Sequence, residues 1–301
     1  MPPEAGAVSA WQAFLRSRQA VVFTHASLAI LTVSLYLLLW IRPFWLVFVP
    51  AVIVGHRVGV LVHEYIHGIP FRSYRANLAV IACFDGALLM FGLLELFRGT
   101  HLAHHRWLNT PRDPAFESVQ SAAPGRATGW IGALETVQYG RYLGQALAGR
   151  HPYVRRGRIA AGAALSVAWF GFWVLVGRPD VPLKLMAVSL FTTLVPVSLR
   201  GAIEHFSRRG DPGFSNEYRV IIPLFNLNRH TDHHENPRTP WYLLQYRTAR
   251  PLWTLHYFTH WFHVHVRGDY VLMQPMDGGR NTGARASRPS SDRTAAGPQQ
   301  P

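Results

Sequence analysis

Residues 21–41 run for 21 positions without a charge. As a helix that is about 31 Å, enough to cross a hydrocarbon core. Arg42-Pro43 then predicts a sharp turn, with the proline suited to the first turn of a new helix. Residues 44–62 are apolar again and predict a return span, growing more polar at Gly55-His56-Arg57. Residues 159–176 and 183–199 repeat this arrangement around a Gly- and Pro-containing linker, which predicts a second hairpin. Residues 78–97 are also apolar but carry Asp85 and Glu95. Spanning there would put the histidine-rich segments at the two ends on opposite faces of the membrane. A re-entrant or interfacial hairpin is the consistent reading. Residues 98–158 are long enough for interfacial helices, and 130–148 suit one.

The expected architecture is an all-α integral membrane protein. Two transmembrane hairpins (about four spans) and re-entrant or interfacial helices support a cytoplasmic histidine-rich cap. Residues 1–19 form a polar arm, 20–276 the membrane domain, and 277–301, rich in Gly, Ser, Arg, Pro and Gln, a disordered tail. The first apolar run is too long for a signal-peptide core and reads as an anchor that stays.

Composition sharpens this picture. Apolar residues make up 49% and charged residues 15%, against about 25% charged in soluble domains. The net charge of +14 comes almost wholly from arginine, since Lys184 is the only lysine. No nucleic-acid module is visible. The arginines lie between apolar runs, nine of them against three acids in residues 98–158. That bias assigns the loop, both termini and all the histidine clusters to the cytoplasm. Cys83 is the single cysteine, so an internal disulfide and a CxxC metal site are both excluded.

Histidine carries the candidate chemistry. Three clusters follow apolar runs: His63-Glu64-Tyr65-Ile66-His67, His101-Leu102-Ala103-His104-His105 and His230-Thr231-Asp232-His233-His234. His205, beside Glu204, follows another. Imidazole is the commonest side-chain metal ligand, and positions three and four apart share one helix face. Nine candidate ligands are too many for one ion and suit two. Imidazole alone does not select the metal. A site at a membrane surface beside apolar helices suits oxidation of a lipid chain, which needs redox metals; zinc has no redox chemistry. His63-Glu64-x-x-His67 is also the zincin string, which keeps an intramembrane zinc protease as a rival. That rival leaves the other two clusters without a role. Glu64, Glu204 and Asp232 flank ligands and are candidates to orient imidazoles, while Asp113 is placed to hold the loop after the second cluster. Asp85 reads as either tunnel lining or a structural hydrogen-bonding group. The run His256, His260, His263, His265 alternates with aromatics and reads as an interfacial segment; His25, His56 and His151 read as structural.

The three clusters with their flanks resemble the membrane fatty acid desaturase superfamily. The resemblance covers about residues 50–245. The Asn109-Thr-Pro-Arg-Asp113-Pro114 tail of the second cluster and Pro240-Trp241-Tyr242 are similar to the desaturase and carotenoid ketolase branch. Leu227-Asn-Arg-His-Thr-Asp-His-His234 and Glu204-His205 are closer to alkane hydroxylases. The resemblance implies a non-haem di-iron centre of two Fe ions held by the nine histidines. It also implies O2 as co-substrate and a lipid or hydrocarbon chain as substrate. The chain carries no His-Pro-Gly-Gly haem motif and no cysteine set for iron–sulfur. Electrons would therefore come from an external donor such as ferredoxin, rubredoxin or a cytochrome with its reductase. Acyl desaturation is the leading reaction, with hydroxylation, ketolation or alkene formation as alternatives on the same scaffold.

Overall fold

The computed structural model describes residues 14–15, 21–114, 140–193, 204–207, 213–219, 225–248, 251–253, 256, 259–260, 262–263 and 271–276. The first two apolar runs fold as α1 (Val22–Trp40) and α2 (Phe48–Ile66), which pack together as the first hairpin. The second hairpin is α5 (Arg156–Leu175) and α6 (Asp180–Thr192). Helices α1, α2 and α5 are long and apolar enough to cross a membrane. The fourth expected span is represented by α6, 13 residues long; 194–199 lie outside the described residues. Leu37, Val167, Leu175 and Leu190 point outward from α1, α5 and α6, as lipid-facing side chains do. The inner faces meet in one apolar core that includes Leu35, Leu39, Leu61, Val181 and Leu185.

The turns of the two hairpins meet. Asp180 accepts hydrogen bonds from Arg178 and from Lys184, and the Arg42 guanidinium stands 3.6 Å away. Lys184 also donates to the Leu39 carbonyl, and Arg178 lies over the Trp40 ring. Both turns therefore sit at one end of the helices, as the span pattern requires.

Residues 78–97 do not form one continuous helix. The run breaks into α3 (Tyr74–Ala87) and α4 (Leu93–Trp107), a hairpin with its turn at residues 88–92. Asp85 causes the break. Its carboxylate accepts from the backbone N–H of Gly92 at 2.6 Å and of Leu94 at 3.2 Å, capping the N-terminus of α4. Gly92 is left-handed, at φ 92°, where a side chain would also strike the Ile159 carbonyl. Helices α3 and α5 approach closely because Gly86 and Gly162 carry no side chain. A Cβ on Gly162 would sit 2.7 Å from the Asp85 carboxylate, and one on Gly86 2.9 Å from Leu165. Small residues permit this approach between helices in lipid.

The expectation of an all-helical chain needs one amendment. Two minimal ladders are present: Phe206–Ser207 pairs antiparallel with Val271–Leu272, and Tyr218–Arg219 pairs parallel with Leu252–Trp253. Each gives the chain around the third cluster backbone partners that a helix would have supplied internally. Of the expected interfacial helix at 130–148, the helical part among the described residues begins at 140. The tail 277–301 and most of the N-terminal arm lie outside the described residues.

Candidate metal centre

The histidines arrive from four directions. His63 is in the last turn of α2 and His67 is its C-cap residue. His101, His104 and His105 lie on the last two turns of α4. Short α7 (His230–Glu235) carries His230, His233 and His234, and Glu204-His205 immediately precede the first strand.

All nine come together, in two adjacent sets. The ligand nitrogens of His63, His67, His101, His105 and His233 lie within 4.8 Å of one another. So do those of His104, His205 and His234, and those of His205 and His230 with a Glu204 oxygen. The sets touch: the rings of His105 and His234 are 4.3 Å apart.

The nitrogens face each other in a way neutral imidazoles cannot satisfy. Nε2 of His63 is 2.7 Å from Nε2 of His101, and Nε2 of His67 is 3.1 Å from both. A neutral Nε2 carries either a hydrogen or a lone pair, never both. In a triangle at least two rings are alike, so at least one contact fails as a hydrogen bond. In the other set, His230 Nε2 stands 3.0 Å from that of His205, 2.9 Å from that of His234 and 3.3 Å from a Glu204 oxygen. A cation accepting lone pairs from every ring removes the conflict, so the donor set fits metal ions. Burial first, and then neighbouring imidazoles, holds the pKa of His101, His105 and His234 well below the ordinary value. These rings stay neutral at pH 7, the form that binds metal.

The four carboxylates named from the sequence have distinct places. Asp113 is fully buried, accepts from His104 Nδ1 at 2.8 Å and takes the Asn109 N–H. It fixes the tautomer of His104 and turns Nε2 inward. Glu204 stands among the imidazole nitrogens rather than behind them. Glu64 accepts from the Trp241 N–H at 3.3 Å. Asp232 accepts from the Gln245 N–H and from Arg247. Both tie the chain that follows the third cluster to the helices bearing ligands.

Several supporting residues were not singled out from the sequence. Asn109, at φ 57°, donates to the Phe214 and Gln274 carbonyls, joining the end of α4 to two distant segments. Glu217 accepts the N–H groups of Arg247 and Thr248. These partners are far apart in sequence, so no spacing announces them. The buried pair Glu95–Arg98, bidentate at 2.6 and 2.8 Å, was detectable from its i,i+3 spacing on a helix. His25 bonds the Tyr65 hydroxyl at 2.7 Å and His260 that of Tyr218 at 3.2 Å. Neither joins the two imidazole sets among the described residues.

No curated protein and no solved structure matches the chain. A family model does. The model described as fatty acid desaturase matches residues 43–264, a stretch that begins at the turn before α2 and takes in all nine clustered histidines. The chain therefore belongs to the fatty acid desaturase family, an oxidoreductase family acting on lipids.

Proposed function

We propose that this protein is an O2-dependent non-haem di-iron oxidoreductase of a lipid or hydrocarbon chain, with acyl desaturation as its reaction. The observation that carries the reading is the division of the nine imidazoles into two touching sets whose ring nitrogens converge. In it, His63, His67, His101, His105 and His233 hold one iron, and His104, His205, His230 and His234 hold the other, with Glu204 beside them. Two iron ions supply the activation of O2 and the oxidising power for a C–H bond. The chain's residues do the remainder. Asp113 keeps the proton of His104 on Nδ1, so Nε2 offers its lone pair. Phe97 stacks on His101 at 5.1 Å and shields that ring. Apolar helices receive the substrate chain, and electrons come from an external ferredoxin, rubredoxin or cytochrome. Hydroxylation is the alternative outcome, favoured by the resemblance of Leu227–His234 to alkane hydroxylases.

The test is metal analysis joined to product analysis. The purified protein should carry close to two iron equivalents and oxidise a lipid when given O2 and a reductant. His104→Ala and His233→Ala should each lose iron and abolish turnover. Full activity in either variant, or a single zinc per chain, would overturn the assignment.

A further inference from the structure

A cavity of about 280 Å³ opens between α3 and α5. Leu78, Ala79, Ile81 and Ala82 of α3 and Ala161 of α5 form apolar walls. None of the nine clustered imidazoles lines it. Next to the Asp85 and Ala161 walls the helices close on each other at Gly162 and Gly86.

Two carboxylates and two guanidiniums complete the lining, and their partners differ. Asp85 is taken up by the N–H groups of Gly92 and Leu94. Glu95 is taken up by both arms of Arg98. Asp85 is satisfied by backbone donors, and Glu95 keeps Arg98 as its hydrogen-bonded cation with Arg158 at ion-pair distance. Arg158 lies 3.6 Å from Glu95, beyond hydrogen-bond length, and donates to the Tyr74 hydroxyl. Arg75 is exposed and has no carboxylate partner among the described residues. Arg72, Arg155 and Arg156, also exposed, lie at or just before the starts of the same two helices. The cavity thus joins a positive rim at the helix N-termini to an apolar interior.

We propose that this groove binds one acyl chain of an anionic phospholipid whose phosphate sits between Arg75 and Arg158. The occupant is a resident lipid and not the substrate, because the groove does not reach the imidazoles. The inference does not depend on the reaction catalysed. Charge complementarity selects the anionic head group; guanidinium forks suit phosphate oxygens. The apolar walls select the chain, which free phosphate lacks. Since Asp85 caps α4 and Glu95 of α4 lines the groove, a filled groove braces the helix that bears His101, His104 and His105.

Native mass spectrometry of the full-length protein in detergent tests the proposal. Dioleoyl phosphatidylglycerol and dioleoyl phosphatidylcholine are offered at equal concentration. The wild type should retain one phosphatidylglycerol in preference and melt at a higher temperature with it. Arg75→Gln, at an exposed position, should weaken retention about fivefold. Ala82→Phe, which fills the groove, should abolish it, as should Ala79→Phe if the first variant does not fold. Arg219→Gln, of equal charge change outside the groove, should retain the lipid like the wild type. Equal retention of phosphatidylcholine would overturn the proposal. So would displacement by glycerol 3-phosphate at the concentration of the lipid, or undiminished binding in both groove-filling variants.

Discussion

At the scale of single residues, the informative contrast is between carboxylates that touch imidazoles and those that touch backbone. Asp113 and Glu204 meet imidazoles, Asp113 together with the Asn109 N–H, whereas Glu64 meets the Trp241 N–H. In a zincin, the glutamate of His-Glu-x-x-His is the base that activates metal-bound water, and its amide is inactive while metal is kept. Here Glu64 anchors Trp241 from the end of α2. Glu64→Gln should therefore retain measurable O2- and reductant-dependent oxidation of a lipid, reduced by about 10–100-fold at most, the range for residues acting through a ligand. His67→Ala should retain none. Peptide cleavage that needs no O2 and disappears in Glu64→Gln would contradict the redox reading. The pairing of His63 with His67 was readable from their spacing. The partner of Glu64 was not, because Trp241 is brought to it from across the chain.

At the scale of elements, the α3–α5 crossing is a demanding contact. Gly162 faces the Asp85 carboxylate and the Gly92 Cα, at 2.7 and 3.1 Å from where a Cβ would stand. Asp85 cannot retreat without uncapping α4. Overpacking of this kind costs about 1–3 kcal/mol. Gly162→Leu should lower the melting temperature of the purified protein and its yield. Gly171→Leu, on the same helix with open space around it, should change neither. An unaltered melt for Gly162→Leu would show that the helices can separate freely.

At the scale of the whole molecule, two predictions follow from charge. The arginine excess in residues 98–158 predicts that this loop faces the cytoplasm. In a Cys83→Ser background, a cysteine at position 120 should resist an impermeant thiol reagent added outside intact cells, and react after lysis. Labelling from outside would reverse the topology. The second prediction concerns pH. The folded pKa values of His101, His105 and His234 lie well below their ordinary 6.5. Below about pH 6.5 the unfolded chain takes up protons that the fold refuses, so unfolding binds protons. Metal-free protein should therefore lose thermal stability as pH falls from 7.5 to 5. Equal melts across that range would mean that the rings are not held neutral.

What the sequence determined by itself follows from local physics. Span length and arginine bias predicted two hairpins, and the meeting of Arg42 with Asp180 agrees with their pairing. Helical spacing put His63 with His67 and His101 with His105, because rings one turn apart must share a face. The need for the first two histidine clusters to share one face argued against a span at residues 78–97, and Asp85 makes the turn there. The tertiary structure decided what depends on contacts between distant segments. It separated the histidines into two sets, taking His233 to the α2 side and its neighbour His234 to His104 and His205. Adjacent residues on a short helix point apart, and no spacing rule says which neighbour each ring will meet. It also placed Asp85 as the cap of α4 at the wall of the α3–α5 groove. Only the fold could settle that, since the N–H groups it accepts belong to a helix whose start the carboxylate itself creates.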